Sequence, residues 1–216
     1  MLKSALMLCA WLVGPGLALA ADAQISERPF HEFELGNPKA KVTVIEYASL
    51  TCPHCAHFQA ETYPQLKKAY IDTGKIRFLY RDFPLDGLAM AGAVIARCVE
   101  PGKGHKLVEL LFANQRAWVS NQKPLEPLHT YGKEAGISEA EVDKCLENRE
   151  LLTSLREEQD RSEQKYNIQA TPSFYINDEE YAGDAPFDEI APIIEKHLAL
   201  ADAADKGKGK AAPKKK

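Results

Sequence analysis

After residue 20 the chain has no apolar run long enough to cross a bilayer, which excludes a membrane-spanning body. It has no internal repeat, so solenoid and propeller architectures are excluded as well. Basic charge is scarce outside one end. Setting aside Lys3 and the six lysines of residues 206–216 takes the net charge from −4 to about −11, and such an acidic body lacks the footprint of a nucleic-acid groove. Cysteine is scarce too, at five in 216 residues, and only Cys52 and Cys55 are closely spaced. No second pair is spaced to complete a tetrahedral zinc site, so the expectation is no metal and no cofactor. His54 and His57 beside the pair keep a copper- or zinc-binding protein as an alternative reading.

What is present begins with residues 1–20. Lys3 gives a short positive start, Ala5 to Leu19 is mostly apolar, and Ala18-Leu19-Ala20 is a small-x-small cleavage site. This reads as an export signal peptide, with the mature chain starting at Ala21. The alternative is an uncleaved anchor, but Gly14-Pro15-Gly16 breaks the run and shortens it. Loss of Cys9 with the signal leaves Cys52, Cys55, Cys98 and Cys145, an even number that suits an oxidising compartment and two pairs.

Cys52-Pro53-His54-Cys55 carries the chemistry. Before it, residues 42–49 are β-branched and aromatic, as in a buried strand. After it, residues 56–70 have helical spacing, with Phe58, Leu66 and Ala69 able to share a face. Pro53 suits the first helical position, where a missing N–H costs nothing. Cys52 therefore stands at a helix N-terminus, whose unpaired N–H groups and dipole favour a thiolate. A C-x-x-C pair at a strand-to-helix junction reads as a thioredoxin-like redox site, with Cys52 the accessible nucleophile and Cys55 the partner one turn inside.

The same reading divides the chain. Residues 21–41 form a polar N-terminal extension, with Phe30 and Phe33 as anchors. Residues 42–85 hold two strands, the second at 76–81, joined by one helix and hence parallel. Residues 86–166 show no strand and read as helices over 88–99, 105–118, 125–135, a segment opened by the capping-box spacing of Ser138 and Glu141, and 151–166. Residues 167–200 return to a strand at 173–177, a turn at 177–180, a short return strand from Tyr181 and a closing helix. Residues 201–216 form a basic tail expected to be disordered. The fold class is α/β.

The Cys-Pro-His-Cys motif after a strand and before a helix, Phe83-Pro84 after the second strand, the helical block and Ala170-Thr171-Pro172 before the third strand resemble the DsbA family of thiol:disulfide oxidoreductases, over roughly residues 42–200. The resemblance implies a thioredoxin fold with an inserted all-helical domain. It also implies a periplasmic, monomeric donor of disulfides to unfolded or reduced exported proteins, reoxidised by a membrane quinone-linked partner of the DsbB type. Pro172 would be the family's cis-proline, with Thr171 offering its backbone to substrate; the alternative is an ordinary trans proline. Thr171 stands where the best-known members have valine, so its hydroxyl bears on oxidising strength. His54 beside Cys52 would stabilise the thiolate, and the reduced form with it. A structural disulfide between Cys98 and Cys145, as in α-proteobacterial members, is expected; two separate buried thiols are the alternative.

Glu46 interrupts an apolar strand. If buried below the motif it would have a raised pKa and could accept the proton of Cys55 when the mixed disulfide resolves; at a sheet edge it would simply be solvated. Leu88, Met90 and the helix from His105 supply either apolar surface for unfolded chains or core. An isomerase or reductase of the same fold is the other reading; residues 21–41 are too short for an isomerase's dimerisation domain but leave room for a short helical dimerisation arm.

Overall fold

The computed structural model describes residues 32–210, apart from Pro101 and Asp178. The signal peptide at 1–20, Phe30 and the last six residues of the basic tail lie outside them.

A five-stranded mixed sheet forms the centre. Its strands are β1 (Phe33–Gly36), β2 (Val42–Ala48), β3 (Ile76–Asp82), β4 (Ser173–Ile176) and β5 (Glu179–Ala182), in the order β1-β3-β2-β4-β5. β2 and β3 are parallel and joined by a helical crossover; every other pairing is antiparallel. β2 is the central strand, which explains its almost wholly buried apolar sequence. β1 is an element that the sequence reading left as extension. Four residues are too few to show a period, yet Phe33 anchors it as expected, packing under the Arg97 guanidinium at 3.7 Å. β5 begins at Glu179, so the turn after β4 is tighter than expected.

The crossover begins with α1 (Pro53–Glu61) and continues as α2 (Tyr63–Leu66) and a π-helical turn over Lys67–Ile71, rather than as one unbroken helix. Between β3 and β4 come α3 (Gly87–Cys98), α4 (Gly104–Ala113), α5 (Gln115–Val119), α6 (Leu125–Glu134), α7 (Glu139–Glu147) and α8 (Arg149–Tyr166). The helix expected over 105–118 is thus two helices. Asn114 breaks it: its backbone leaves the helical region and its side-chain amide donates to Leu110 O at 2.9 Å, competing with the helical ladder. Ser138 and Glu141 form the expected capping box at the start of α7.

Cys98 and Cys145 are bonded, with Cα atoms 6.0 Å apart, and pin the end of α3 to α7. A buried ion pair between Arg97 on α3 and Asp82 on β3 joins the helical block to the sheet, with Arg97 Nε 2.8 Å from Asp82 Oδ2. The main core is continuous from the sheet through α3, α4, α5 and α7. Leu88 and Met90 are half-buried against that core, and the His105 ring is buried between the helical block and the sheet, against Phe33, Tyr63 and Tyr80; Leu85, whose N–H bonds to Ser49, is exposed. The closing helix α9 (Phe187–Lys210) runs past residue 200, so the tail is helical as far as Lys210. Ala201, Ala203 and Ala204 favour that continuation.

Candidate active site

The parallel pair β2–β3 leaves the chain at the top of the sheet, and residues 49–52 turn it into α1. Cys52 is the residue capping α1, with extended backbone angles, and Pro53 follows at the first helical position. Cys52 N donates to Ser49 O, and Cys52 O accepts the first helical bond from Ala56 N. Ser49 Oγ accepts from Leu85 N, while the Thr51 hydroxyl donates to Asp86, which also caps α3. Ser49, Thr51 and Asp86 escaped the sequence reading, because their partners come from beyond β3.

The two cysteines are free thiols of unlike character. Cys52 shows 6% of its surface and Cys55 none, so the nucleophile is less open than expected but remains the only one of the two that solvent reaches. The Cys55 thiol beside it, above all, holds Cys52 down at a pKa of about 5. Burial opposes this, while the Thr171 hydroxyl and the backbone N–H groups of Cys55 and His54 add to it. His54 thus acts on the sulfur through its main chain, and its ring is exposed. Burial drives the Cys55 thiol far up, and the neighbouring Cys52 and Glu46 reinforce this.

Glu46 is not at an edge. It lies on β2 between Tyr80 of β3 and Phe174 of β4, wholly buried. Burial pushes its pKa up to about 8, against the opposing hydrogen bond from Gln59 Nε2 at 2.9 Å. Gln59 was also missed, although it follows Cys55 by four residues and so lies on the same helical face.

Across from Cys52, the Thr171–Pro172 peptide is cis. Cys52 Sγ donates to Thr171 O at 3.2 Å. The Thr171 hydroxyl oxygen is buried and has no hydrogen-bond partner among the described residues in this thiol form. Cys52, Pro53, His54, Cys55, Glu46, Thr171 and Pro172 therefore gather at one end of the sheet, while Cys98 and Cys145 lie apart in the helical block. Among the described residues no three His, Cys, Asp or Glu side chains are grouped to hold a metal ion.

A sulfur ionised near neutrality, a second sulfur one helical turn away that resists ionisation, and a buried acid below it are the parts that thiol–disulfide exchange needs. Comparison with known proteins agrees. Residues 31–196 match the family described as thioredoxin. Disulfide bond formation protein D of Bacillus subtilis is 31% identical over 172 residues, covering 76% of each chain. A Rickettsia conorii protein with the provisional name protein-disulfide oxidoreductase is 33% identical over 82% of this chain, which spans only 64% of that relative's length. Among solved structures, Wolbachia pipientis alpha-DsbA1 superposes with a TM-score of 0.75 at 27% identity, over 81% of this chain and 94% of that one. BdbD of Bacillus subtilis superposes with a TM-score of 0.70 at 29% identity, over 78% and 93%.

Proposed function

Because the chain belongs to the thioredoxin family, among its DsbA-like members, we propose that it is a periplasmic oxidase that introduces disulfides into exported proteins. The observation that carries this is the opposite tuning of the two thiols. A substrate thiolate attacks Cys52 Sγ of the oxidised pair; the Cys52–Cys55 bond breaks and Cys55 departs with the electron pair. Glu46, protonated at neutral pH, supplies the proton that Cys55 takes up. A second substrate thiolate then attacks the substrate sulfur of the mixed disulfide and expels Cys52. The substrate leaves oxidised by two electrons and the Cys52/Cys55 pair is reduced.

Cys52 is a good leaving group because its thiolate is stable. Holding its pKa near 5 stabilises the reduced form at pH 7 by about 2.7 kcal/mol relative to a thiol of ordinary pKa, equivalent to about 60 mV of oxidising power. That contribution is complete above the ordinary thiol pKa and is lost as pH falls through about 5. The His54 backbone N–H adds to thiolate stability in this reading. The substrate backbone pairs with Thr171 before Pro172 as an added strand would. Leu85, half-exposed, offers apolar contact to an unfolded chain, at the rim of a mainly polar hollow of about 380 Å³ that Gln159, Glu163, Asn167 and Gln169 share with Phe83, Pro84 and Ile168.

Export through the signal peptide, action as a monomer and reoxidation by a DsbB-type membrane partner complete the proposal. The test is to mix the oxidised protein with a reduced model substrate and, separately, with a scrambled one. Stoichiometric oxidation that Cys52→Ser abolishes supports the oxidase. Efficient unscrambling with poor oxidation would overturn it in favour of an isomerase.

A further inference from the structure

The break at Asn114 has a structural result. It releases α5 from the line of α4 and turns one face of this short helix towards the loop that carries the nucleophile. Gln115 and Trp118, three residues apart, share that face. The Gln115 amide is half-buried and donates twice across the domain boundary, to Leu50 O at 2.9 Å and to Cys52 O at 2.8 Å. The Leu50 side chain, buried, is held from the same side. A Cβ added at Gly92 of α3 would lie 2.8 Å from Leu50 Cδ1 and 3.7 Å from the Trp118 ring, so loop and helical block meet without spare room.

From this geometry we propose that Gln115 is a positioning residue for the redox reaction: by tethering Leu50 O and Cys52 O it keeps the Cys52 sulfur aimed at the first N–H groups of α1 and at Thr171. The tether is informative because of where it attaches. Cys52 O is also the acceptor of the first helical bond, from Ala56 N at 3.2 Å. Fixing that carbonyl therefore fixes the Cys52–Pro53 peptide plane at the start of α1, and with it the placing of the sulfur relative to the His54 and Cys55 amides. Hydrogen bonds of this kind weaken steeply with misalignment, so a small rotation of the loop costs thiolate stabilisation. The helical block in this way reaches the reacting sulfur through the main chain without touching it. Leu50 docking holds the loop in place; the double donation from Gln115 sets its orientation.

The inference rests on the oxidase reading, and the test separates the two. The pKa of Cys52 is measured from the pH dependence of alkylation of the reduced, full-length protein, for wild type, Gln115→Leu and Gln115→Lys, with thermal unfolding of each as a check on folding. Leucine keeps the bulk and removes both donors; lysine keeps a donor of similar reach. The expected result is a Cys52 pKa raised by about half a unit or more in Gln115→Leu and not raised in Gln115→Lys, with the glutathione redox equilibrium of the leucine variant shifted towards the disulfide. A Gln115→Leu value within about 0.2 of a unit of wild type would overturn the proposal, as would an equal rise in both variants, which would indicate packing alone. In either case a low wild-type pKa would leave the oxidase reading standing. A wild-type value near that of free cysteine would overturn both.

Discussion

Replacing Glu46 by glutamine should stabilise the oxidised protein, and by an amount that grows with pH. Glu46 is wholly buried on the central strand, with the Gln59 amide, which donates to both carboxyl oxygens at 3.3 and 2.9 Å, to offset the loss of water. Its pKa accordingly rises from 4.5 to about 8. Between those values the folded protein holds a proton that the unfolded chain has released, so stability falls as pH rises. At pH 5 the penalty is about 1 kcal/mol, and at pH 7 it is about 3.4 kcal/mol, a difference of about 2.5 kcal/mol. Glutamine at position 46 keeps the shape and does not titrate, so its stability curve should lack this slope. Urea unfolding of the oxidised proteins isolates the effect, because the disulfide removes both thiols from the titration. Wild type and Glu46→Gln curves that run parallel from pH 5 to pH 8 would refute the argument, since a carboxyl that does not gain a proton on folding cannot serve as proton donor to Cys55. If the reasoning holds, the variant should also oxidise substrate more slowly, its gain in stability coming at the expense of proton transfer.

Two further perturbations follow from the same geometry. Thr171→Val removes the hydroxyl that lowers the Cys52 pKa, so alkylation should show that pKa rising, and the glutathione equilibrium should show a weaker oxidant. Changing both Cys98 and Cys145 to alanine opens a loop of 47 residues and should cost about 4 kcal/mol of unfolding free energy, while the Cys52 pKa stays where it was, since the bridge joins α3 and α7 away from the motif.

What could be read from the residues was local. The strand, the Cys-Pro-His-Cys turn and the helix after it sit within thirty residues of one another, and each step has its own short-range cause, from β-branched packing to proline at the first helical position. Glu46 marks the boundary of that kind of reading. Strand alternation gives its face, but only the pairing of β2 with both β3 and β4 shows that the face is buried. β1 was missed because four residues at the sheet's edge carry too little pattern, and the break between α4 and α5 because one asparagine inside an amphipathic run is a weak signal. Gln59 could have been found by helical spacing from Cys55. Gln115 could not: its partners lie 63 and 65 residues earlier, and nothing in an isolated glutamine marks it out.

The account depends most on the acidity of one sulfur. The direct measurement is the rate of alkylation of Cys52 in the reduced protein from acid to neutral pH, with Cys52→Ser as the blank. The prediction is a midpoint of about 5, set by the Cys55 thiol, the Thr171 hydroxyl and the first amides of α1. A midpoint near the ordinary thiol value of about 8.5 would contradict it, and with it the assignment of this chain as a disulfide donor.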